Sequence, residues 1–355
     1  MPSKDQILEA LSSVMDPDLG RDIVSLGFIK NLNMDGGKVS FDLELTTPAC
    51  PVKDQMKEQS ENAVRAVEGV ESVELTLTAQ VRQAQGLPEM KPLPGVKHLV
   101  PVASGKGGVG KSTVSANLAV ALAKSGAKVG LMDLDIYGPS IPTIMGITSP
   151  PQIDGERIHP PERHGVKVMS MGFFLDDDQA VIWRGPMLVK MIDEFLGNVE
   201  WGELDYMIID LPPGTGDIQL SLCQKLPLTG AVIVSTPQDV ALKVAKKAIS
   251  LFGTLKTPVL GMVENMSYHH CSHCGEREEI FGNSGARDAA EKLNFPFLGE
   301  LPLATAIREQ SDSGVPILIS EPESPHSKSF EAIASQVAAQ ASIRAMDEQS
   351  LKISF

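Results

Sequence analysis

A glycine-rich segment that begins at Gly105 has the residue types and the spacing of a phosphate-binding loop. Gly105 is followed by four residues and then by Gly110, Lys111 and Ser112, which is the pattern G-x-x-x-x-G-K-[ST]. Glycines let backbone N–H groups approach phosphate oxygens, a lysine adds positive charge, and the Ser112 hydroxyl can ligate Mg²⁺. The residues we expect to bind a nucleotide such as ATP here are Gly105, Lys106, Gly107, Gly108, Val109, Gly110, Lys111, Ser112 and Thr113.

The elements around this loop are those that a phosphate site requires. The apolar segment Leu99–Ala103 precedes the loop and predicts a buried strand, and the amphipathic run Val114–Ala123 predicts a helix. A helix that begins near Lys111 directs its positive N-terminal end at a bound anion. We therefore expect a strand–loop–helix unit that binds phosphate.

A second lysine, Lys106, follows the first glycine directly and gives the loop two lysines. This arrangement resembles the deviant Walker A family, which includes the MinD and ParA ATPases, the nitrogenase iron protein and the Mrp/ApbC iron–sulfur carriers. The resemblance implies a nucleotide-sandwich homodimer in which Lys106 reaches the phosphates of the partner. Positive charge is useful there because negative charge gathers on the phosphoryl group during transfer.

Three further carboxylates follow predicted strands, and two of them are expected to act at the same crevice. Lys128–Met132 delivers Asp133 and Asp135, and a largely apolar run ends at Asp210 in the Walker B arrangement. We predict that Asp210 contributes to the Mg²⁺ shell, and the resemblance implies that Asp135 orients the attacking water. We interpret Asp133 as a solvated residue that caps the following turn.

Two more segments resemble nucleotide-binding parts of the same family. Leu211–Asp217 resembles switch II, in which the Gly214 N–H can sense the γ-phosphate. The segment Pro258–Val263 predicts a strand that ends just before Asn265. The resemblance implies that Asn265 hydrogen-bonds adenine, and an Asx-turn is the alternative reading.

Cys271 and Cys274 form a C-x₂-C pair, called the cysteine knuckle below, in which two thiolates can meet one metal centre. Zinc or a [4Fe–4S] cluster usually takes four ligands, and a two-fold axis could supply the second pair. Three nearby histidines keep a zinc site within one subunit open, and a redox disulfide is a third possibility. The likeness to Mrp/ApbC carriers implies a [4Fe–4S] cluster that bridges two subunits, with zinc as the alternative.

Cys50 lies in a proline-bracketed turn where a helix is expected to start, a position that lowers a thiol's pKa and favours metal binding. Burial as a structural cysteine is the alternative. The segments 16–19, 22–27 and 46–51 resemble the small SufT-like domain of iron–sulfur assembly factors, which makes Cys50 a possible ligand. We interpret Cys223, which lies among leucines, as a core residue.

The pattern along the chain predicts an α/β fold: a P-loop NTPase with a mostly parallel sheet, and a small N-terminal α+β domain. Ser3 is the predicted N-cap of the first helix. The predicted organisation is a small domain (1–86), a linker rich in proline (87–97), the ATPase domain (98–346) and a C-terminal tail (347–355).

The balance of acidic and basic residues indicates which kinds of partner the protein does not bind. The chain carries 31 basic and 45 acidic residues, a net charge of −14, which argues against nucleic-acid binding and against an anionic membrane surface. The start resembles no signal peptide and no apolar run approaches membrane-spanning length, so we expect a cytoplasmic protein.

The sequence therefore predicts an ATP hydrolase of the Mrp/ApbC type that carries iron–sulfur clusters to apo-proteins as a homodimer. Two other functions stay open. A positioning ATPase of ParA or MinD type would use the cysteine knuckle as a structural zinc site, and the acidic balance counts against it. A nucleotide-driven electron donor like the nitrogenase iron protein is disfavoured because the cluster cysteines of that protein lie far apart.

Overall fold

The computed structural model describes residues 2–83, 93–174, 185–214, 216–271 and 273–352. The described residues form two compact units, one from 1–82 together with 338–355 and the other from 83–337. Most of the predicted linker and the last residues of the predicted tail lie outside the described residues. Among the helices described, none combines the length and apolar character that crossing a bilayer requires.

The first unit is a small α+β module in which a three-stranded sheet carries the core. Strands β3 and β4 are antiparallel, and β4 and β5 are parallel. Ser3 caps the first helix as predicted, because its Oγ accepts a hydrogen bond from the Gln6 N–H. The elements are α1 (Lys4–Leu11), β1 (Met15–Asp16), β2 (Arg21–Asp22), β3 (Ile29–Asp35), β4 (Lys38–Leu45), α2 (Lys53–Arg65) and β5 (Ser72–Ala79).

The second unit is built on a large sheet whose central strands are all parallel. Its parallel order is β11-β7-β12-β6-β13-β14-β16, with β10 and β15 added antiparallel. The strands are β6 (Val96–Ser104), β7 (Val129–Asp133), β8 (Gln152–Asp154), β9 (Arg157–His159), β10 (Glu162–Arg163), β11 (Val166–Ser170), β12 (Leu204–Asp210), β13 (Ala231–Ser235), β14 (Val259–His270), β15 (Arg277–Glu278) and β16 (Phe297–Pro302).

The helices of this unit follow the strands, as the predicted alternation requires. They are α3 (Lys111–Lys124), α4 (Ile141–Met145), α5 (Gly185–Gly197), α6 (Asp217–Lys225), α7 (Asp239–Thr254), α8 (Gly285–Lys292), α9 (Thr305–Ser313) and α10 (Ile317–Ser320). The final helix α11 (Pro325–Lys352) begins in this unit, and its residues from 338 onward belong to the first unit. The last helix continues into the predicted tail. The predicted mostly parallel sheet with a small α+β unit is therefore confirmed.

Strand β14 is longer than the sequence suggested, since it continues past Asn265 to His270. The register against β16 jumps between Glu264 and Tyr268, so β14 bulges where Met266 has a left-handed φ of +56°. Pairing with β15 and β16 supports this second half, which is information that periodicity within one segment lacks.

Candidate functional site

The predicted phosphate loop connects the end of β6 to the start of α3. Gly110 stands at the N-cap of α3 in the left-handed region, with φ +79°. A Cβ at this position would lie 2.2 Å from Asn265 Nδ2, so both conformation and space require glycine. Gly110 offers no side chain to cap the first turn of α3, which leaves its N–H groups open to an anion. Gly107 and Gly108 are exposed at the mouth of the loop.

Lys111 lies in a buried cluster with both predicted carboxylates. Its Nζ is 2.7 Å from an oxygen of Asp210 and 3.5 Å from an oxygen of Asp135. The Ser112 hydroxyl donates to the same Asp210 oxygen at 2.6 Å. Four of the predicted residues therefore lie together at the carboxyl edge of the sheet, namely Lys111, Ser112, Asp135 and Asp210.

The same cluster contains polar residues that the sequence motifs did not indicate. The Ser115 hydroxyl donates to the second oxygen of Asp210 at 2.6 Å, and Ser170 Oγ donates to Asp133 at 2.8 Å. Both serines are fully buried. Ser115 lies one helical turn beyond Lys111, and this spacing is a sequence signal that could have indicated it as a site residue. Ser170 has no such signal, because only the pairing of β11 with β7 brings it beside Asp133.

The reading of Asp133 as solvated is wrong. Asp133 is completely buried, although it does accept a hydrogen bond from the Asp135 N–H and so caps the turn. Burial and the neighbouring Asp210 charge raise the pKa of Asp133 to about 8, and the hydrogen bond from Ser170 offsets this only in part.

Lys106 and Gly214 stand on either side of Ser104, the last residue of β6. Ser104 Oγ donates to the Lys106 carbonyl oxygen at 3.0 Å, and the Gly214 N–H donates to the Ser104 carbonyl oxygen at 2.9 Å. The half-buried Lys106 side chain forms no ion pair among the described residues. The Gly214 N–H is thus bonded to the residue that directly precedes the phosphate loop.

Asn265 joins the phosphate loop to a neighbouring cavity of about 650 Å³. Its Nδ2 donates to the Val109 carbonyl oxygen at 2.8 Å. The cavity has the size of a small-molecule site, and the sequence motifs did not indicate the part lined by the β16–α9 segment. Residues around it include Gly110, Thr113, Asn265, Met266, Leu303 and Arg308.

The cysteine knuckle follows β14 directly. Its loop closes through hydrogen bonds from the Gly275 N–H to the Cys271 carbonyl oxygen and from the Cys271 N–H to the Glu276 carbonyl oxygen. Cys274 is exposed and Cys271 is half-exposed. Hydrogen bonds from the backbone of residues 274 and 273 lower the pKa of Cys271. Within the described residues no group of three or more histidine, cysteine or acidic side chains gathers in a way that could hold a metal ion.

The other two cysteines occupy different environments. Cys223 is buried in the core, as predicted. The expectation of a lowered thiol pKa at Cys50 is wrong, because burial raises the pKa of Cys50 to about 11. Helix α2 begins only at Lys53, and the carboxylates of Asp16 and Asp18 add to the upward shift.

Comparison with known families decides the class of this chain. A family model described as NUBPL iron-transfer P-loop NTPase matches residues 95–338, which is more than half of the chain. The chain belongs to this family. A second model, described as iron-sulfur cluster assembly protein, matches residues 4–75 of this P-loop NTPase.

Individual relatives agree with this assignment. An iron-sulfur cluster carrier protein from Synechocystis sp. is 48% identical over 354 residues, which cover 98% of this chain and 100% of the relative. A nucleotide-binding protein from Archaeoglobus fulgidus, solved in complex with ADP, is 45% identical with a TM-score of 0.58 and covers 67% of this chain and 93% of its own. The cell division ATPase MinD from Pyrococcus furiosus has a TM-score of 0.51 at 24% identity over 68% of this chain and 98% of its own, and shows the fold alone. The predicted resemblance and the P-loop ATPase class are confirmed.

Proposed function

We propose that this P-loop NTPase carries a [4Fe–4S] cluster between two subunits and delivers it to apo-proteins under the control of ATP hydrolysis. Relatives named as iron-sulfur cluster carriers over almost the full length, and an iron-transfer family model, support the cargo.

ATP would bind with its phosphates on loop 105–113 and its base in the cavity beside Asn265. Lys111 would exchange part of its contact with Asp210 and Asp135 for the phosphates, since a buried ammonium needs a compensating negative charge. The hydroxyl of Ser112 and the carboxylate of Asp210 are hard oxygen ligands that fit Mg²⁺. The two groups already lie together, since the hydroxyl donates a hydrogen bond to the carboxylate at 2.6 Å. Mg²⁺ bound there would neutralise charge on the phosphates.

Two further residues, one of them from the second subunit, would act on the phosphates of the bound ATP. Asp135 would orient the attacking water, because its carboxylate lies two residues past the end of β7 and 3.5 Å from Lys111 Nζ. Lys106, which has no ion-pair partner among the described residues, would reach the phosphates of the second subunit. The ATPase site would then be complete only in the homodimer.

The cargo site would be the cysteine knuckle of both subunits. Cys271 and Cys274 supply two thiolates from each chain, and two copies give the four that a [4Fe–4S] cluster takes. Exposure at the surface lets the cluster face both a second subunit and an acceptor protein. Cys50 is a weaker candidate, because its thiol is half-buried and its pKa is raised.

The observation that carries the proposal is that one strand touches both sites. Asn265 of β14 contacts the phosphate loop, and the same strand ends at His270, immediately before Cys271. The bulge at Met266 lies between these points, where the strained backbone could change register when the loop moves. The six residue steps from Asn265 to Cys271 span roughly 20 Å when extended. A movement of the phosphate loop on hydrolysis would therefore reach the knuckle through this one continuous strand.

The test is cluster transfer from the reconstituted protein to an apo-acceptor with and without ATP. We expect ATP to change the transfer rate in the wild type, and Lys111→Ala to remove that response while the cluster still binds. Lys292→Ala removes an exposed lysine of α8 and should behave as the wild type. Transfer that is independent of ATP in all three proteins would contradict ATP control, and failure to bind a cluster would contradict the cargo.

A further inference from the structure

Gln219 of helix α6 is a buried polar residue that contacts the switch II segment, defined as residues 211–214. The side chain is 1% exposed. Its Nε2 donates to the Pro212 carbonyl oxygen at 2.7 Å and to the Gly214 carbonyl oxygen at 3.3 Å. The amide nitrogen thereby donates to two carbonyl oxygens of the switch II segment.

The segment is held from its other side by the phosphate loop. The Gly214 N–H donates to the Ser104 carbonyl oxygen, and Pro213 lies beside Gly107, with its Cγ 3.9 Å from where a Cβ of that glycine would stand. Gly214 has a φ of +94°, a conformation that its neighbours must hold in place. The Gly214 N–H thus bonds to the residue directly before the phosphate loop, and it would exchange this acceptor for the γ-phosphate when ATP binds.

The side-chain carbonyl oxygen of Gln219, unlike its amide nitrogen, has no role in these contacts. Among the described residues, Gln219 Oε1 is buried and has no hydrogen-bond partner. It lies 3.5 Å from where a Cβ of Gly216 would stand, next to the backbone that joins the switch II segment to α6. A buried acceptor without a partner is unfavourable, and it is suited to accept an N–H that becomes free when the segment moves.

We propose that Gln219 is a positioning residue for ATP turnover, which holds the carbonyls of the switch II segment so that the Gly214 N–H is presented to the γ-phosphate. Gln219 itself touches no nucleotide. The inference rests on the ATPase part of the proposed function and is independent of the cluster. Its consequence is selectivity: ADP lacks the γ-phosphate, so ADP binding does not depend on Gln219, whereas ATP turnover does.

The first test replaces the amide by a side chain of similar length without donors, Gln219→Met. We expect kcat for ATP hydrolysis to fall about tenfold, because the carbonyls of Pro212 and Gly214 lose their donor. The ADP dissociation constant should stay within about twofold, so the preference for a non-hydrolysable ATP analogue over ADP falls. The matched control is Gln224→Met, an exposed glutamine of the same helix, which should leave both quantities unchanged.

A second variant gives a pH signature that loss of packing does not produce. In Gln219→Glu the ionised carboxylate would face two carbonyl oxygens, whereas the protonated form can donate to one of them. Its ATPase rate relative to the wild type should therefore rise as the pH falls from 8 to 6. Equal loss of ADP and analogue binding in Gln219→Met, kcat within twofold of the wild type, or a flat pH ratio would each overturn the proposal. Wild-type protein without ATPase activity would instead contradict the proposed function.

Discussion

The side-chain amide of Asn265 donates a hydrogen bond to the Val109 carbonyl oxygen at 2.8 Å, and this bond joins strand β14 to the phosphate loop. Gly110 provides the space for it, since any Cβ there would collide with the amide. The contact fixes the loop beside the cavity proposed for the base. One residue therefore serves the loop, the cavity and the strand that leads to Cys271.

Replacing Asn265 by alanine should weaken ADP binding about three- to tenfold, because the loop loses one buried hydrogen bond and the cavity loses its amide. The ADP dissociation constant measured by calorimetry checks this. Asn283→Ala, which removes an exposed amide of the same unit, should bind ADP as the wild type does. Equal affinities in all three proteins would contradict the role given to the Asn265–Val109 contact.

Asp133 should make stability depend on pH in a direction opposite to that of most carboxylates. The pKa of Asp133 is raised to about 8, whereas an unfolded aspartate titrates near 4. Between these two pKa values the folded state keeps a proton that the unfolded state releases. The contribution of Asp133 to the free energy of unfolding is therefore fully present below about pH 4. It is lost as the pH rises toward about 8, by up to about 1.4 kcal/mol per unit.

Asp133→Asn removes this dependence, so we expect the melting temperature of the variant relative to the wild type to rise from pH 5 to pH 8. Exposed Asp154 offers the control Asp154→Asn, whose difference from the wild type should stay constant. The same constant difference for Asp133→Asn would show that Asp133 is ionised in the folded protein across this range.

Cys50 should react slowly with thiol reagents in the metal-free protein. Burial raises the pKa of Cys50 to about 11, so very little thiolate is present at pH 8. Alkylation by iodoacetamide, followed on the Cys50 peptide by mass spectrometry, should be at least about tenfold slower than that of a free cysteine derivative. The rate should still rise between pH 9 and pH 10. A plateau below pH 8 would contradict this assignment and would restore Cys50 as a metal ligand.

Arg277 should stabilise the hairpin that carries the cysteine knuckle. Its guanidinium lies 4.0 Å from the centre of the Tyr268 ring and 3.1 Å from a Glu300 oxygen, which connects β14, β15 and β16. We expect Arg277→Glu to lower cluster occupancy about three- to tenfold after anaerobic reconstitution, since an exposed ion pair and a ring contact are each worth about 1 kcal/mol or less.

Two variants make this prediction specific. Glu300→Arg added to Arg277→Glu restores the ion pair in reverse and should recover part of the occupancy. Arg287→Glu removes an arginine whose guanidinium lies over the Phe297 ring, away from the hairpin, and should leave occupancy unchanged. Equal occupancy in Arg277→Glu and Arg287→Glu would show that the hairpin needs no such support.

The sequence predicted those parts of the site that local patterns encode. The loop, Asp135 and Asp210 follow from glycine spacing and from carboxylates at strand ends, and the parallel sheet then brings them together. Residues that reach the site from elsewhere in the fold, such as Ser170 and Gln219, have no local pattern and could not be found in this way.

The two errors at single residues have a common physical cause. The predictions for Asp133 and Cys50 rest on their neighbours in sequence, whereas desolvation is the largest cause of the pKa shift at each residue. Desolvation depends on packing by distant segments. The length of β14 was underestimated for a related reason, because β15 and β16 complete it from later in the chain.

The most direct measurement is the content of iron, sulfide and zinc in protein purified without oxygen, together with its visible absorption spectrum. We predict about four iron and four sulfide per dimer after reconstitution, lost in Cys271→Ser and in Cys274→Ser and retained in Cys50→Ser. Zinc at the cysteine knuckle with no uptake of iron and sulfide on anaerobic reconstitution would contradict the carrier function. The chain would then stand as a P-loop ATPase with a structural zinc site.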